Sequence, residues 1–221
     1  MLTQIYEVSS AAEAAAISAM GVDHIGVLVG DGSFPREQPL AAAVEIAASV
    51  RRPAKVCALF LSADIAFIAR TARALQPAIV HLGAAPELVT PEHVAELRLA
   101  LPGVPIMRSV PVVGVQSIDI ARSYEGVAEF VLLDSYRAAD RQIGALGLTH
   151  DWSISRQIVL SVRTPAILAG GLGPENVAEA IRMVRPAGVD SKTRTDKGHT
   201  HTKDLAKVRQ FELAAKEAER Q

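Results

Sequence analysis

The chain has almost no cysteine. Cys57 is the only one in 221 residues, so no internal disulfide can form and the sequence suits a reducing compartment. Aromatic residues are scarce at 4%, and there is no surplus of positive charge, with 23 Lys and Arg against 24 Asp and Glu. A surface that follows a nucleic-acid backbone needs cations and stacking rings, so no nucleic-acid partner is expected. No apolar run approaches the roughly 20 residues that cross a bilayer, so no membrane partner is expected either. The opening Met1-Leu2-Thr3-Gln4 lacks the basic start and apolar core of a secretion signal, which points to a cytoplasmic setting. What remains is ordinary globular composition, 49% hydrophobic and 21% charged. The length fits one barrel or one layered α/β domain better than two domains.

Short runs rich in Val, Ile and Leu recur at 5–8, 24–29, 55–59, 79–82, 105–110, 130–133, 165–169 and 188–190. Several lack polar alternation, as strands covered on both faces do. Between them lie alanine-rich amphipathic stretches at 10–20, 40–50, 63–75, 90–101, 117–124, 152–161, 174–184 and 205–218. Ser10 three residues before Glu13 has capping-box spacing, and Thr90-Pro91-Glu92 places proline at a first helical position. Eight strand–helix units in one chain predict a single closed (β/α)8 TIM barrel of parallel strands over 1–221, because closure removes the sheet edges. An open doubly wound sheet is disfavoured, since Ile5-Tyr6-Glu7-Val8-Ser9-Ser10 stands where a G-x-G-x-x-G would follow the first strand.

Such barrels carry their sites at the C-terminal ends of the strands. The polar residues predicted there are Tyr6, Glu7, Asp31, Arg36, His81, Arg108, Asp134, Asp151, Gly170, Gly171, Asp190, Ser191 and Lys192. Ala169-Gly170-Gly171-Leu172-Gly173-Pro174-Glu175 takes a buried strand through two glycines into a helix start, which suits a phosphate. The following strand ends in Ser191-Lys192-Thr193-Arg194-Thr195-Asp196-Lys197, whose cations offer a second contribution to the same anion. A Schiff base at Lys192 is an alternative use of that residue. His199 and His201, with Asp196 or Asp204, form an incomplete metal pattern to which no metal is assigned. Asp134, directly after Val131-Leu132-Leu133, is the leading catalytic candidate, because apolar surroundings raise a carboxyl toward an acid's useful range. Glu7 is its natural partner. Strand parity opposes the pairing, since Tyr6 and Glu7 point to opposite faces unless the first strand has already ended. His81 either faces the ligand or is a satisfied barrel histidine, and Cys57 reads as buried and inert.

The glycine segment, with Pro174-Glu175-Asn176-Val177 after it, resembles the A-G-G-L and P-E-N-V of the phosphoribosylanthranilate isomerase family. The resemblance extends over most of the chain. Leu132-Leu133-Asp134 resembles the segment whose aspartate is the family's general acid, and Gly144-Ala145-Leu146-Gly147 with Asp151-Trp152 resembles its G-G-T-G…F-D-W. Phe34-Pro35-Arg36 resembles S-P-R, whose arginine meets the anthranilate carboxylate. The resemblance implies an isomerase of tryptophan biosynthesis that performs an Amadori-type rearrangement on a phosphorylated sugar, without a cofactor, as a monomer or homodimer. It implies a catalytic role for Asp134 and substrate contacts from Arg36, Gly170 and Gly171; the residues themselves add Glu7 or Tyr6 as a catalytic base and His81, Ser191, Lys192 and Arg194 as substrate contacts.

The chain departs from the family where it matters for chemistry. Tyr6 stands at the position of the family's cysteine base, and Glu7 stands at the glycine after it. The Q-L-H-G of the fourth strand is replaced at His81-Leu82-Gly83, and the small residues of the last loop give way to charged ones. Two alternatives therefore stand beside the isomerase reading: a paralogous sugar-phosphate isomerase, epimerase or aldolase, or a non-catalytic barrel that binds a phosphorylated metabolite.

Overall fold

Eight parallel strands close on themselves: β1 (Leu2–Ile5), β2 (His24–Leu28), β3 (Lys55–Phe60), β4 (Ile79–Leu82), β5 (Ile106–Pro111), β6 (Phe130–Asp134), β7 (Ala166–Leu168) and β8 (Gly188–Ser191). Strands follow one another round the barrel in chain order, and β8 returns to β1 with Gln4 opposite Asp190 and Ile5 opposite Ser191. Each strand is followed by a helix: α1 (Ala11–Ser18), α2 (Leu40–Ala48), α3 (Ile65–Leu75), α4 (Pro91–Ala100), α5 (Gln116–Ser123), α6 (Trp152–Ser161), α7 (Val177–Val184) and α8 (Leu205–Ala218). This computed structural model describes residues 1–139, 141–198 and 200–220. Among them no helix is long and apolar enough to cross a membrane. The expected (β/α)8 barrel is the observed one.

Helix starts follow the local chemistry. The Ser10 hydroxyl accepts from the Glu13 amide at 3.2 Å, while Glu13 Oε2 accepts from the Ser9 amide at 3.1 Å. Asp64, Asp151 and Asp204 cap α3, α6 and α8 in the same manner. Each cap occupies amide donors that the helix cannot satisfy itself.

The apolar residues divide into two bodies. The larger lies between the sheet and the helices and includes Ile17, Ile25, Ile68, Leu97, Val131 and Phe211. The smaller fills the barrel interior with Tyr6, Cys57, Ile79, Met107, Leu132, Ile167 and Ala169. Below the mouth, the Gln4 amide donates to Asp190 Oδ1 at 3.3 Å, and its carbonyl lies 3.1 Å from His24 Nδ1.

Two local findings differ from the sequence expectation. Strand β1 ends at Ile5 rather than running over 5–8. Glu7 follows with φ of +55°, so strand parity no longer governs Tyr6 and Glu7 and both face the mouth. The loop after β6 also forms an unexpected antiparallel hairpin, Tyr136–Arg137 with Gln142–Ile143.

Tyr6 is accommodated by a glycine on the neighbouring strand. A Cβ at Gly26 would lie 2.1 Å from Tyr6 Cδ1, far inside contact distance. Gly26→Ala is therefore expected to destabilise the fold by about 1–3 kcal/mol through overpacking, lowering Tm by about 2–4 °C for each kcal/mol. Thermal unfolding of Gly26→Ala with and without Tyr6→Ala checks the cause, because truncating the ring should return most of the loss.

Candidate active site

The C-terminal mouth of the barrel encloses a cavity of about 620 Å³. Its polar lining includes Tyr6, Glu7, Arg36, His81, Ser109, Asp134, Asp190 and Lys192, drawn from six strand ends. Leu28, Phe34, Pro35, Leu59, Leu61 and Leu88 supply an apolar wall. The hairpin after β6 contributes Arg137, Arg141 and Ile143 to the rim.

Asp134 ends β6 and is buried, with Oδ1 accepting from the Ser135 amide at 2.7 Å. Burial pushes its carboxyl up to about 7, against those hydrogen bonds. Gly144 closes over it: at φ of +74°, a Cβ there would sit 2.1 Å from Asp134 Oδ2. Asp190 shares the cavity floor, and burial, followed by the charge of Asp134, raises it well above the carboxylate range. Two neighbouring carboxyls with raised affinity for protons suit acid–base chemistry near neutral pH.

Glu7 has the opposite character. Burial pushes its carboxyl up, but the hydrogen bond from Arg36 and the charges of Lys192 and Lys203 more than offset this and hold it below its usual value. Arg36 grips it with Nε at 2.6 Å from Oε2 and Nη2 at 3.3 Å from Oε1. Lys192 Nζ lies 3.5 Å from the same carboxylate, 3.3 Å from Asp196 Oδ2 and 2.9 Å from His201 Nδ1. Lys203, fully buried, completes the ladder at 2.6 Å from Asp196 Oδ1. Alternating charges thus run Arg36, Glu7, Lys192, Asp196, Lys203.

Tyr6 is placed in the barrel and not poised as a base. Its hydroxyl donates to Cys57 Sγ at 3.1 Å and accepts from His81 Nδ1 at 2.7 Å, with the tautomer set by this network. His81 Nε2 then accepts from the Ser109 hydroxyl at 2.7 Å. Burial pushes the phenol well above its usual value and lowers His81 to about 3, so the imidazole is neutral. His81 is both a satisfied barrel histidine and part of the cavity floor.

The glycines of the expected phosphate site lie outside this lining and against the loop after β6. Gly170 (φ +81°) and Gly171 (φ +59°) are packed so closely that a Cβ would meet His150 Nδ1 at 2.7 Å and the Leu148 carbonyl carbon at 2.7 Å, respectively. His150 Nδ1 and Thr193 Oγ1, both beside this corner, are buried without a hydrogen-bond partner among the described residues.

Two expected contacts, Arg194 and Ser191, have protein partners of their own. Arg194 Nη1 donates to Glu175 Oε1 at 2.5 Å at the start of α7, away from the main cavity, because that carboxylate is its nearest counter-charge. The Ser191 hydroxyl is spent on the Leu172 carbonyl at 2.7 Å, holding the β7 and β8 loops together. Of the metal pattern, His199 lies outside the described residues, His201 faces the Lys192 ammonium, and Asp204 caps α8. Arg108 is fully buried and donates to the carbonyls of Leu82 and Ala84, where it braces the loop after β4.

Asp190, though collected among the strand-end residues, gave no sequence signal that set it apart. Ser109 and the hairpin arginines gave none either. Asp190 pairs across to β1 and is aimed by Gln4, a long-range relation between residues 186 positions apart.

A closed (β/α)8 barrel with a carboxyl-lined cavity at its C-terminal mouth is an enzyme-type scaffold. Residues 4–214 match the family model of N-(5'-phosphoribosyl)anthranilate (PRA) isomerase, and the chain belongs to that family. It is 37% identical over 201 residues to the N-(5'-phosphoribosyl)anthranilate isomerase of Methanocella arvoryzae, covering 90% of each chain. The enzyme of the same name from Haloferax volcanii is 35% identical over 96% of this chain and 91% of its own. The solved N-(5'-phosphoribosyl)anthranilate isomerase of Pyrococcus furiosus superposes with a TM-score of 0.77 at 25% identity, covering 98% of this chain and 99% of that one.

The raised carboxyl of Asp134 fixes the sign of a pH effect. The folded chain keeps that proton up to about pH 7, whereas an unfolded aspartate loses it near 4. Stability from this residue is thus lost as pH rises through that window, by an amount on the order of 4 kcal/mol. Asp134→Asn should match the wild type at pH 4 and exceed it at pH 8. Urea unfolding at both pH values checks this; an equal difference at both would contradict the buried, protonated carboxyl.

Proposed function

We propose that this chain isomerises N-(5'-phosphoribosyl)anthranilate to the corresponding 1-amino-1-deoxyketose phosphate, with Asp134 as general acid and Glu7 as general base. The observation that carries this reading is one cavity holding a carboxyl raised to about 7 and another kept ionised by cations. The rearrangement needs both. Asp134 gives its proton to the ring oxygen as the C1–O bond breaks, and the nitrogen lone pair forms a C1=N iminium. Glu7 takes the proton from C2, the freed electron pair neutralises the iminium, and the resulting enolamine tautomerises to the ketone. Tyr6, the alternative base, has its hydroxyl engaged by Cys57 and His81 and holds its proton too firmly.

The phosphate is assigned to the Gly170–Gly171 corner. Two close-packed glycines with left-handed backbones and the unpartnered His150 Nδ1 and Thr193 Oγ1 suit an anion held by neutral donors. The apolar wall from Leu28 to Leu88 suits the anthranilate ring, and Arg36 suits its carboxylate. The free, buried Cys57 fits a cytoplasmic enzyme, acting as a monomer or homodimer with neither nucleic acid nor membrane as partner. The second reading is a related phosphorylated N-glycoside as substrate, and it is favoured by Tyr6 and Glu7 standing where the resembled family has cysteine and glycine.

The test is growth of a tryptophan auxotroph lacking the isomerase, paired with turnover by the purified protein. The wild type is expected to restore growth, and Asp134→Asn to lower kcat by about 10²–10⁴-fold with little change in KM. Wild-type kcat in Asp134→Asn would remove the acid assignment. Failure of rescue together with no turnover would leave the second reading. In a separate measurement, Gly171→Val should weaken inorganic phosphate binding, because its side chain must displace the Leu148–Thr149 backbone; unchanged affinity would move the phosphate elsewhere.

A further inference from the structure

The Arg36–Glu7 pair is unusual at both ends. Glu7 and Arg36 each adopt left-handed backbone, with φ of +55° and +68°, a conformation that non-glycine residues take at a cost. Such strain persists only where the surroundings over-determine it, and it gathers at functional sites. Both side chains line the main cavity. Arg36 engages Glu7 through Nε and Nη2 only, and Nη1 donates to none of the described residues. Its guanidinium is therefore a planar fork with one edge spent on an internal carboxylate and the other unspent beside an apolar wall.

We propose that Arg36 couples substrate recognition to the base: a carboxylate carried on the ligand's aromatic ring takes a share of Arg36 from Glu7, and Glu7 becomes a stronger base only when that ligand is in place. This rests on the isomerase reading, because the substrate there is an N-aryl sugar phosphate with a ring carboxylate. The physics is competition for one cation. A second carboxylate on the guanidinium weakens its hold on the first and adds a like charge nearby, and both effects favour protonation of Glu7. The other groups facing Glu7 are Lys192 from the β8 loop, Lys203 and His201 ahead of α8, Asp196 and Asp190. Lys192 is itself shared with Asp196, so Arg36 is the partner whose allegiance a ligand can change. A ligand without the carboxylate leaves Glu7 masked, which makes the pair a specificity device as well.

The test follows the Glu7 side-chain carboxyl by ¹³C NMR in glutamate-labelled protein, its signal identified by loss in Glu7→Gln. Titrations compare the free protein with complexes of two reduced, unreactive N-aryl-1-amino-1-deoxyribulose 5-phosphates, one carrying an ortho carboxylate and one a plain phenyl ring. The Glu7 midpoint should rise by about one pH unit, tenfold in proton affinity, with the carboxylate ligand and stay unmoved with the phenyl ligand. In Arg36→Ala the midpoint should already be raised in the free protein and should not rise further with either ligand. Equal midpoints with both ligands in the wild type would overturn the coupling. Turnover without a midpoint difference would remove the coupling and leave the isomerase, whereas a midpoint difference without turnover would keep the coupling and remove the isomerase.

Discussion

The mouth of this barrel depends on a ladder of alternating charge. Arg36, Glu7, Lys192, Asp196 and Lys203 come from the loops after β2, β1 and β8 and from the approach to α8, and each charge lies between opposites or against one. Buried ion pairs seldom add net stability, because desolvation consumes what attraction returns. They discriminate strongly between arrangements, since a buried charge without its partner costs several kcal/mol. The ladder therefore sets where these loops rest more than how firmly the barrel folds. Lys203 also donates its backbone amide to Glu13 Oε1 at 2.7 Å and its ammonium to the Lys192 carbonyl at 3.1 Å, tying α1 into the same arrangement.

On that fixed rim two carboxyl groups receive opposite treatment. Asp134 lies beneath Gly144, out of water and away from cations, and holds its proton. Glu7 lies among cations and gives its proton up. No metal or cofactor is needed to separate them, because burial pushes one way and neighbouring charge the other. The cysteine of the resembled family could not serve from Cys57, which sits deep in β3 with its thiol pushed up to about 12 by burial.

The barrel was legible because its signals are local and repeated: eight apolar runs, eight amphipathic stretches, and caps such as Ser10 and Thr90. Asp134 was legible for the same reason, since a strand ending in aspartate is visible in four letters. The relation between Tyr6 and Glu7 was not, because it turns on where β1 stops and a left-handed residue that only glycine normally announces. The Arg194 contact with Glu175 was not legible, because proximity in sequence to Lys192 says nothing about the direction a side chain takes. The hairpin over the mouth rests on two residues a side, too short for any periodic pattern to show.

The fit of Tyr6 over Gly26 also bears on which replacements the barrel interior tolerates. The ring occupies the space that a side chain at 26 would fill, so in this packing a tyrosine at 6 and a residue larger than glycine at 26 disfavour one another. The Tyr6 hydroxyl has Cys57 and His81, on β3 and β4, within reach. Substitutions at Tyr6, Gly26, Cys57 and His81 are therefore expected to be non-additive, so that what one of the four positions tolerates depends on what stands at the others.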